Sequence, residues 1–66
     1  MNKQVDVYVR NEGTIFTFNP RTDAAKEWIA LNVAEDAQWL GNQLIVEHRY
    51  ARDLAAGMQE EGLVLA

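Results

Sequence analysis

A chain of 66 residues is expected to form one domain, 1–66, and a domain of this size buries only roughly 60% of the surface that its unfolded form exposes. Absence of cysteine and a single histidine exclude disulfides and a multi-histidine metal centre as supports, while ten acidic residues against six basic ones give a net charge of −4 that repels phosphate backbones and argues against direct nucleic-acid binding. Hydrophobic residues make up 48%, as in a folded domain, and no stretch approaches the ~18 consecutive apolar residues of a membrane span.

The opening Met1-Asn2-Lys3-Gln4-Val5-Asp6 has no apolar run of the kind a secretory leader carries, so the expected compartment is the cytoplasm, with which the lack of cysteine agrees. Gln4 to Arg10 then alternates strictly, Val5, Val7 and Val9 on one side and Asp6, Tyr8 and Arg10 on the other, the pattern of a half-buried strand. Asn11-Glu12-Gly13 supplies turn chemistry before the β-rich run Thr14 to Phe18. An even loop with Arg10 opposite Ile15 gathers Val5, Val7, Val9, Phe16 and Phe18 on one face, whereas an odd loop would separate the valines from the phenylalanines. The even loop is therefore the predicted one.

A helix follows. Thr22 is its expected N-cap, with Asp23 near the positive end of the helix dipole, and Asn19 capping ahead of Pro20 is the alternative start. Ala24, Ala25, Trp28, Ile29 and Leu31 form the predicted apolar stripe, and Lys26 and Glu27 point away. After the polar connection Asn32 to Asp36 comes a second hairpin, over Asp36 to Tyr50, with Gly41-Asn42 as a two-residue turn. Trp39 then pairs with Leu44 and Ala37 with Val46, so that Ala37, Trp39, Leu44 and Val46 make a core face, with His48 as a further candidate for it. The opposite face carries Leu40 and Ile45 among Gln38, Gln43 and Glu47. Together with Tyr8 and Ile15 these give a candidate outer-face patch, Tyr8, Ile15, Leu40 and Ile45, although single apolar residues on an exposed sheet face are ordinary.

From Tyr50 the period turns helical again through Ala51, Leu54, Ala55 and Met58, with Gly62 placed as the left-handed residue after the helix. Leu63-Val64-Leu65 reads as a short closing strand, and its connection through a helix predicts parallel pairing. The predicted fold is α+β: a small two-layer domain in the order strand, strand, helix, strand, strand, helix, short strand, with a mostly antiparallel sheet and the helices on one face.

Candidate chemistry is sparse. Glu47-His48 is the one pair that suggests acid-base work, but strand neighbours point to opposite faces, so His48 is read as a half-buried structural residue. The four glycines are scattered and make no phosphate cradle, and no cofactor or metal is expected. Glu12, Glu35, Asp36, Glu60 and Glu61 fall in loops and at helix ends, and form a candidate acidic edge for a partner if the topology brings those ends together. Arg49 and Arg52 flank Tyr50, a combination that can stack on and neutralise nucleic acid, but two arginines against an acidic background fall well short of a basic stripe, and the plainer reading is ion pairs with Glu47, Asp53 or a neighbouring strand.

The words Asn11-Glu12-Gly13-Thr14-Ile15, Thr22-Asp23-Ala24-Ala25 with Trp28, Asp36-Ala37-Gln38-Trp39-Leu40-Gly41 and Val46-Glu47-His48-Arg49-Tyr50 resemble those of a group of short uncharacterised proteins of bacterial, phage and mobile-element genomes. The resemblance covers most of the chain and transfers no functional residue. It implies a setting in which short acidic proteins bind a host protein, including as inhibitors of restriction or CRISPR-type defence complexes. The expected function is thus a non-enzymatic protein-binding module, with a self-associating structural domain, a homodimer, as the alternative.

Overall fold

The computed structural model of the protein describes residues 4–66. The reading of the N-terminus as leaderless rests partly on residues 1–3, which lie outside the described residues. The elements are β1 (Val7–Asn11), β2 (Ile15–Pro20), α1 (Asp23–Asn32), β3 (Gln38–Leu40), β4 (Gln43–Glu47) and α2 (His48–Glu60). The four strands form one antiparallel sheet in the order β1-β2-β4-β3. The closing segment adds to its outer edge. Leu65 bridges Val7 in parallel, and the amides of Val9 and Ala66 donate to the Ala66 and Val7 carbonyls at 2.8 and 3.0 Å. The predicted α+β order and the parallel return are both present.

The first hairpin keeps the predicted faces but not the predicted register. Arg10 lies opposite Thr17 rather than Ile15, two residues along, so Val9 meets Phe18 and Val7 meets Pro20. The turn is centred one residue later than predicted, on Gly13-Thr14: the Asn11 carboxamide oxygen accepts from Gly13 N–H at 2.9 Å, Gly13 takes φ 98°, and Glu12 N–H donates to the Ile15 carbonyl at 2.9 Å. A shift of two leaves side-chain alternation intact, so Val7, Val9, Phe16 and Phe18 still share one face. The second hairpin has the predicted register, Trp39 opposite Leu44 and Leu40 opposite Gln43, with Gly41 at φ 60° in the first central position of its two-residue turn.

Both helices cover the valine and phenylalanine face. Val7, Phe18 and Leu44 from the sheet, Ala25 and Ile29 from α1, and Ala51 and Met58 from α2 make the buried core. Thr22 caps α1 as predicted, accepting from Ala25 N–H at 3.2 Å. Leu31 and Ala24, expected in the apolar stripe, are exposed, Leu31 at 78%. At about 100° per residue Leu31 sits some 200° round from Ile29, so a helix that seats Ala25 and Ile29 on the sheet turns Leu31 to solvent.

Trp39, expected in the core, is 46% exposed. Its strand is the three-residue edge, while the helices lie over β2 and β4. The extended run also ends earlier than predicted: His48, Arg49 and Tyr50 open α2 rather than close β4. Glu47 is opposite Ile15, the first residue of β2, so beyond it the sheet offers no partner; there His48 N–H donates to the Thr14 carbonyl at 3.2 Å and the chain turns into the helix. At its other end α2 stops in a Schellman motif, Leu63 N–H to Met58 C=O at 3.0 Å and Gly62 N–H to Gln59 C=O at 2.9 Å, with Gly62 at φ 85°.

Candidate functional site

Strand directions decide where the candidate residues go. β1 and β4 run toward the end of the sheet that holds the Gly13 loop, and α1 climbs to the same end before the chain re-enters at β3. Glu12, Glu35 and Asp36 therefore lie at that end. α2 starts there and runs back, so its last residue, Glu60, is about 18 Å away along the helix axis at ~1.5 Å per residue, with Glu61 beyond it. The predicted acidic edge is thus divided: Glu60 and Glu61 sit at the opposite end from the other three.

The outer-face patch is divided as well. Tyr8 is opposite Asn19 on β1 and β2, and Leu40 is opposite Gln43 on β3 and β4, which places Tyr8 and Leu40 at the two edges of one row with polar residues between them. Ile15 and Ile45 do become diagonal neighbours, because Ile15 faces Glu47 and Ile45 faces Thr17 on the adjoining strand. Both are half-buried, and Thr17 in the middle of this face is only 6% exposed. Of the four predicted residues the sheet brings together two.

These two also border a groove of about 840 Å³ that the fold creates where β3 falls short of the end of β4. β3 begins at Gln38 opposite Ile45, so Val46 and Glu47 run on past it toward α2, between the end of α1 and the start of α2. The floor consists of Trp28, Val33, Ala37, Val46 and Leu54, partly buried side chains packed on the core. The rim carries Asp36, Glu47 and Asp53, with Tyr50 beside them, and no lysine or arginine is among the lining residues. Two of those carboxylates, Glu47 and Asp53, were not in the predicted acidic set. The signal that finds them is the start of α2 at His48, since Tyr50, Asp53, Leu54 and Gly57 then share one helix face toward α1. Gly57 is where that face closes on α1: a Cβ there would lie 3.2 Å from Cζ2 of Trp28.

The three residues around Tyr50 are likewise split. The Arg49 guanidinium lies 4.8 Å from the centre of the Tyr50 ring and its Nε is 3.2 Å from Glu47 Oε2, whereas Arg52 lines a separate notch with Val9, Phe16 and His48. The His48 ring is tilted against Phe16 at 5.3 Å. A second depression, of about 680 Å³, has the opposite charge: Arg21 and Lys26 border it with Trp39 and Asn42, below the β3–β4 turn. Arg21 also lies 5.7 Å from the centre of the Tyr8 ring.

The titratable group held most closely is Asp6, which the sequence pattern placed simply on a strand. Its carboxylate accepts from the Thr22 hydroxyl at 2.6 Å and from Val64 N–H at 2.8 Å, and these bonds hold its pKa below the ordinary carboxylate value. Its backbone adds Asp6 N–H to Val64 C=O and accepts from Arg21 N–H. Asp6 therefore ties β1, the cap of α1 and the returning C-terminal segment together, a structural role.

Among the described residues no group of three or more His, Asp or Glu side chains is placed to hold a metal ion, and no helix is long and apolar enough to cross a membrane. Comparison with family models, with curated proteins and with solved structures finds no match.

Proposed function

We propose that this chain is a small acidic, non-enzymatic protein-binding module, made by a phage or other mobile element to inhibit a host protein complex of the restriction or CRISPR kind in the cytoplasm, and that the groove is its binding surface. The groove carries the reading. An apolar floor of partly buried side chains beside an exposed tyrosine, inside an acidic rim, has the make-up of a protein-docking surface, in which an aromatic and apolar centre supplies affinity and rim charge selects the partner. The resemblance to short phage and mobile-element proteins supplies the biological setting. The same carboxylates disfavour nucleic acid, and no cofactor enters the proposal.

The direct test is capture of host proteins from a lysate by the wild type, Ala37→Arg and Leu40→Arg, each checked for folding by circular dichroism. Ala37 lines the groove floor, and Leu40, at the other end of β3 on its exposed outer face, does not line the groove. A partner retained by the wild type and by Leu40→Arg but lost by Ala37→Arg is the expected result. A partner lost by Leu40→Arg alone contradicts the groove assignment.

The second reading, self-association through the outer sheet face, rests on the adjacency of Ile15 and Ile45 on a face that neither helix covers. Sedimentation equilibrium decides it, because a dimer that Ile15→Lys dissolves and the groove-floor variant Ala37→Arg leaves intact would support it, and a monomer across the accessible concentration range removes it.

A further inference from the structure

We infer that the groove takes an arginine-bearing apolar segment of a partner protein, whose guanidinium replaces that of Arg49 on Glu47 and Tyr50; the inference rests on the groove being the binding surface. The rim of Asp36, Glu47 and Asp53 has no lysine or arginine among the residues that line the groove with it, so a cationic occupant meets uncompensated charge there apart from Arg49 at its edge. Arg49 itself shows what that edge accepts. Its guanidinium already sits 4.8 Å from the centre of the Tyr50 ring with Nε 3.2 Å from Glu47 Oε2, the two contacts that a planar, forked cation makes best.

The hold on Arg49 is weak. The Arg49 and Glu47 side chains are 71% and 65% exposed, so the pair is screened by solvent, and an incoming arginine anchored by neighbouring apolar side chains competes with it effectively. Lysine is the poorer occupant, because a compact ammonium cannot stack on the tyrosine ring while forking to the carboxylate. A free cation is poorer still, since it leaves the floor of Trp28, Val33, Ala37, Val46 and Leu54 in water. A nucleic acid or an anionic membrane would bring its phosphates against three carboxylates. A protein segment that alternates arginine with leucine-like residues satisfies rim and floor together.

The test is an amide NMR titration of the full chain with a synthetic peptide of about twelve residues, three helical turns, carrying arginine and leucine on one face. Counterparts with lysine or glutamate in place of arginine serve as controls. Expected shifts centre on Asp36, Ala37, Glu47, Tyr50 and Asp53. The order of affinity should be arginine, then lysine, with the glutamate peptide silent. The combined variant Asp36→Asn, Glu47→Gln, Asp53→Asn should weaken binding about tenfold. Arg49→Ala should tighten it roughly two- to threefold by removing the internal competitor. Absence of binding by the arginine peptide overturns the inference, and so do equal affinity of the triple variant, shifts centred on Glu60 and Glu61, or weaker binding by Arg49→Ala. If the peptide fails while Ala37→Arg still abolishes capture of the lysate partner, the arginine assignment is wrong and the groove stands; if Ala37→Arg leaves capture intact, the groove itself is wrong.

Discussion

The Thr22 hydroxyl donates to the Asp6 carboxylate at 2.6 Å while the same oxygen accepts from Ala25 N–H at 3.2 Å, so one side chain both caps α1 and fastens it to the start of β1. Thr22→Ala removes both bonds. Loss of the cap alone costs about 0.5–2 kcal/mol, and urea denaturation should place Thr22→Ala at or above the upper part of that range. A cost at the low end of that range, which loss of the cap alone accounts for, would show that the Asp6 contact adds nothing.

Asp6 gives the fold a defined acid sensitivity. Its folded-state pKa is lowered by the Thr22 hydroxyl and the Val64 amide, so the stability it supplies is full above the ordinary carboxylate pKa of 3.8 and is lost as pH falls through that value toward its own lower one. Asp6→Asn also turns a carboxamide toward groups that include the Val64 donor. The variant should be less stable at neutral pH, and its stability should fall less than that of the wild type on acidification below pH 4. Parallel stability–pH curves for the two proteins would contradict the assignment.

Gly57 is a glycine inside a helix whose substitution tests the contact between α1 and α2. Alanine gains about 0.8–1 kcal/mol of helix propensity and meets Cζ2 of Trp28 at 3.2 Å, a contact relieved if the indole moves a few tenths of an ångström toward the open groove it lines. Gly57→Ala should therefore raise stability by about 0.5 kcal/mol, whereas Gly57→Leu should cost about 1–3 kcal/mol through overpacking. Thermal denaturation of the two variants measures both.

Removal of the Phe18 side chain should be close to unfolding the protein. Phe18 has no exposed surface and sits between β1 and β4 beneath the helices, so Phe18→Ala should cost about 3–5 kcal/mol, most of the stability of a domain this small. Leu31→Lys, at a position 78% exposed, should stay within about 0.5 kcal/mol of the wild type. A large effect at Leu31 would mean that α1 faces the sheet differently.

The features legible in the sequence are those set by near neighbours. Gly41-Asn42 specifies the second hairpin's register, alternation specifies which residues of β1 and β2 share a face, and Thr22 and Gly62 mark helix ends by their own chemistry. What escaped the sequence depends on distant parts of the chain. Trp39 is exposed because the helices lie over β2 and β4, a matter of strand order, and Asp6 is held by Val64, 58 positions away. The acidic site was only half legible for the same kind of reason. Asp36 is in the predicted acidic set, but Glu47 and Asp53 join it only because β4 outruns β3 and turns into α2 at His48, while α2 carries Glu60 and Glu61 to the other end.

The most direct test of the groove as a protein-binding surface is photo-crosslinking in host lysate, with p-benzoylphenylalanine in place of Tyr50 in one protein and of Tyr8 in another. Tyr50 lines the groove, and Tyr8 is similarly exposed at the far edge of the sheet. A discrete protein adduct from position 50 with none from position 8 is the predicted result. An adduct from position 8 alone, or the same adduct from both, would contradict it.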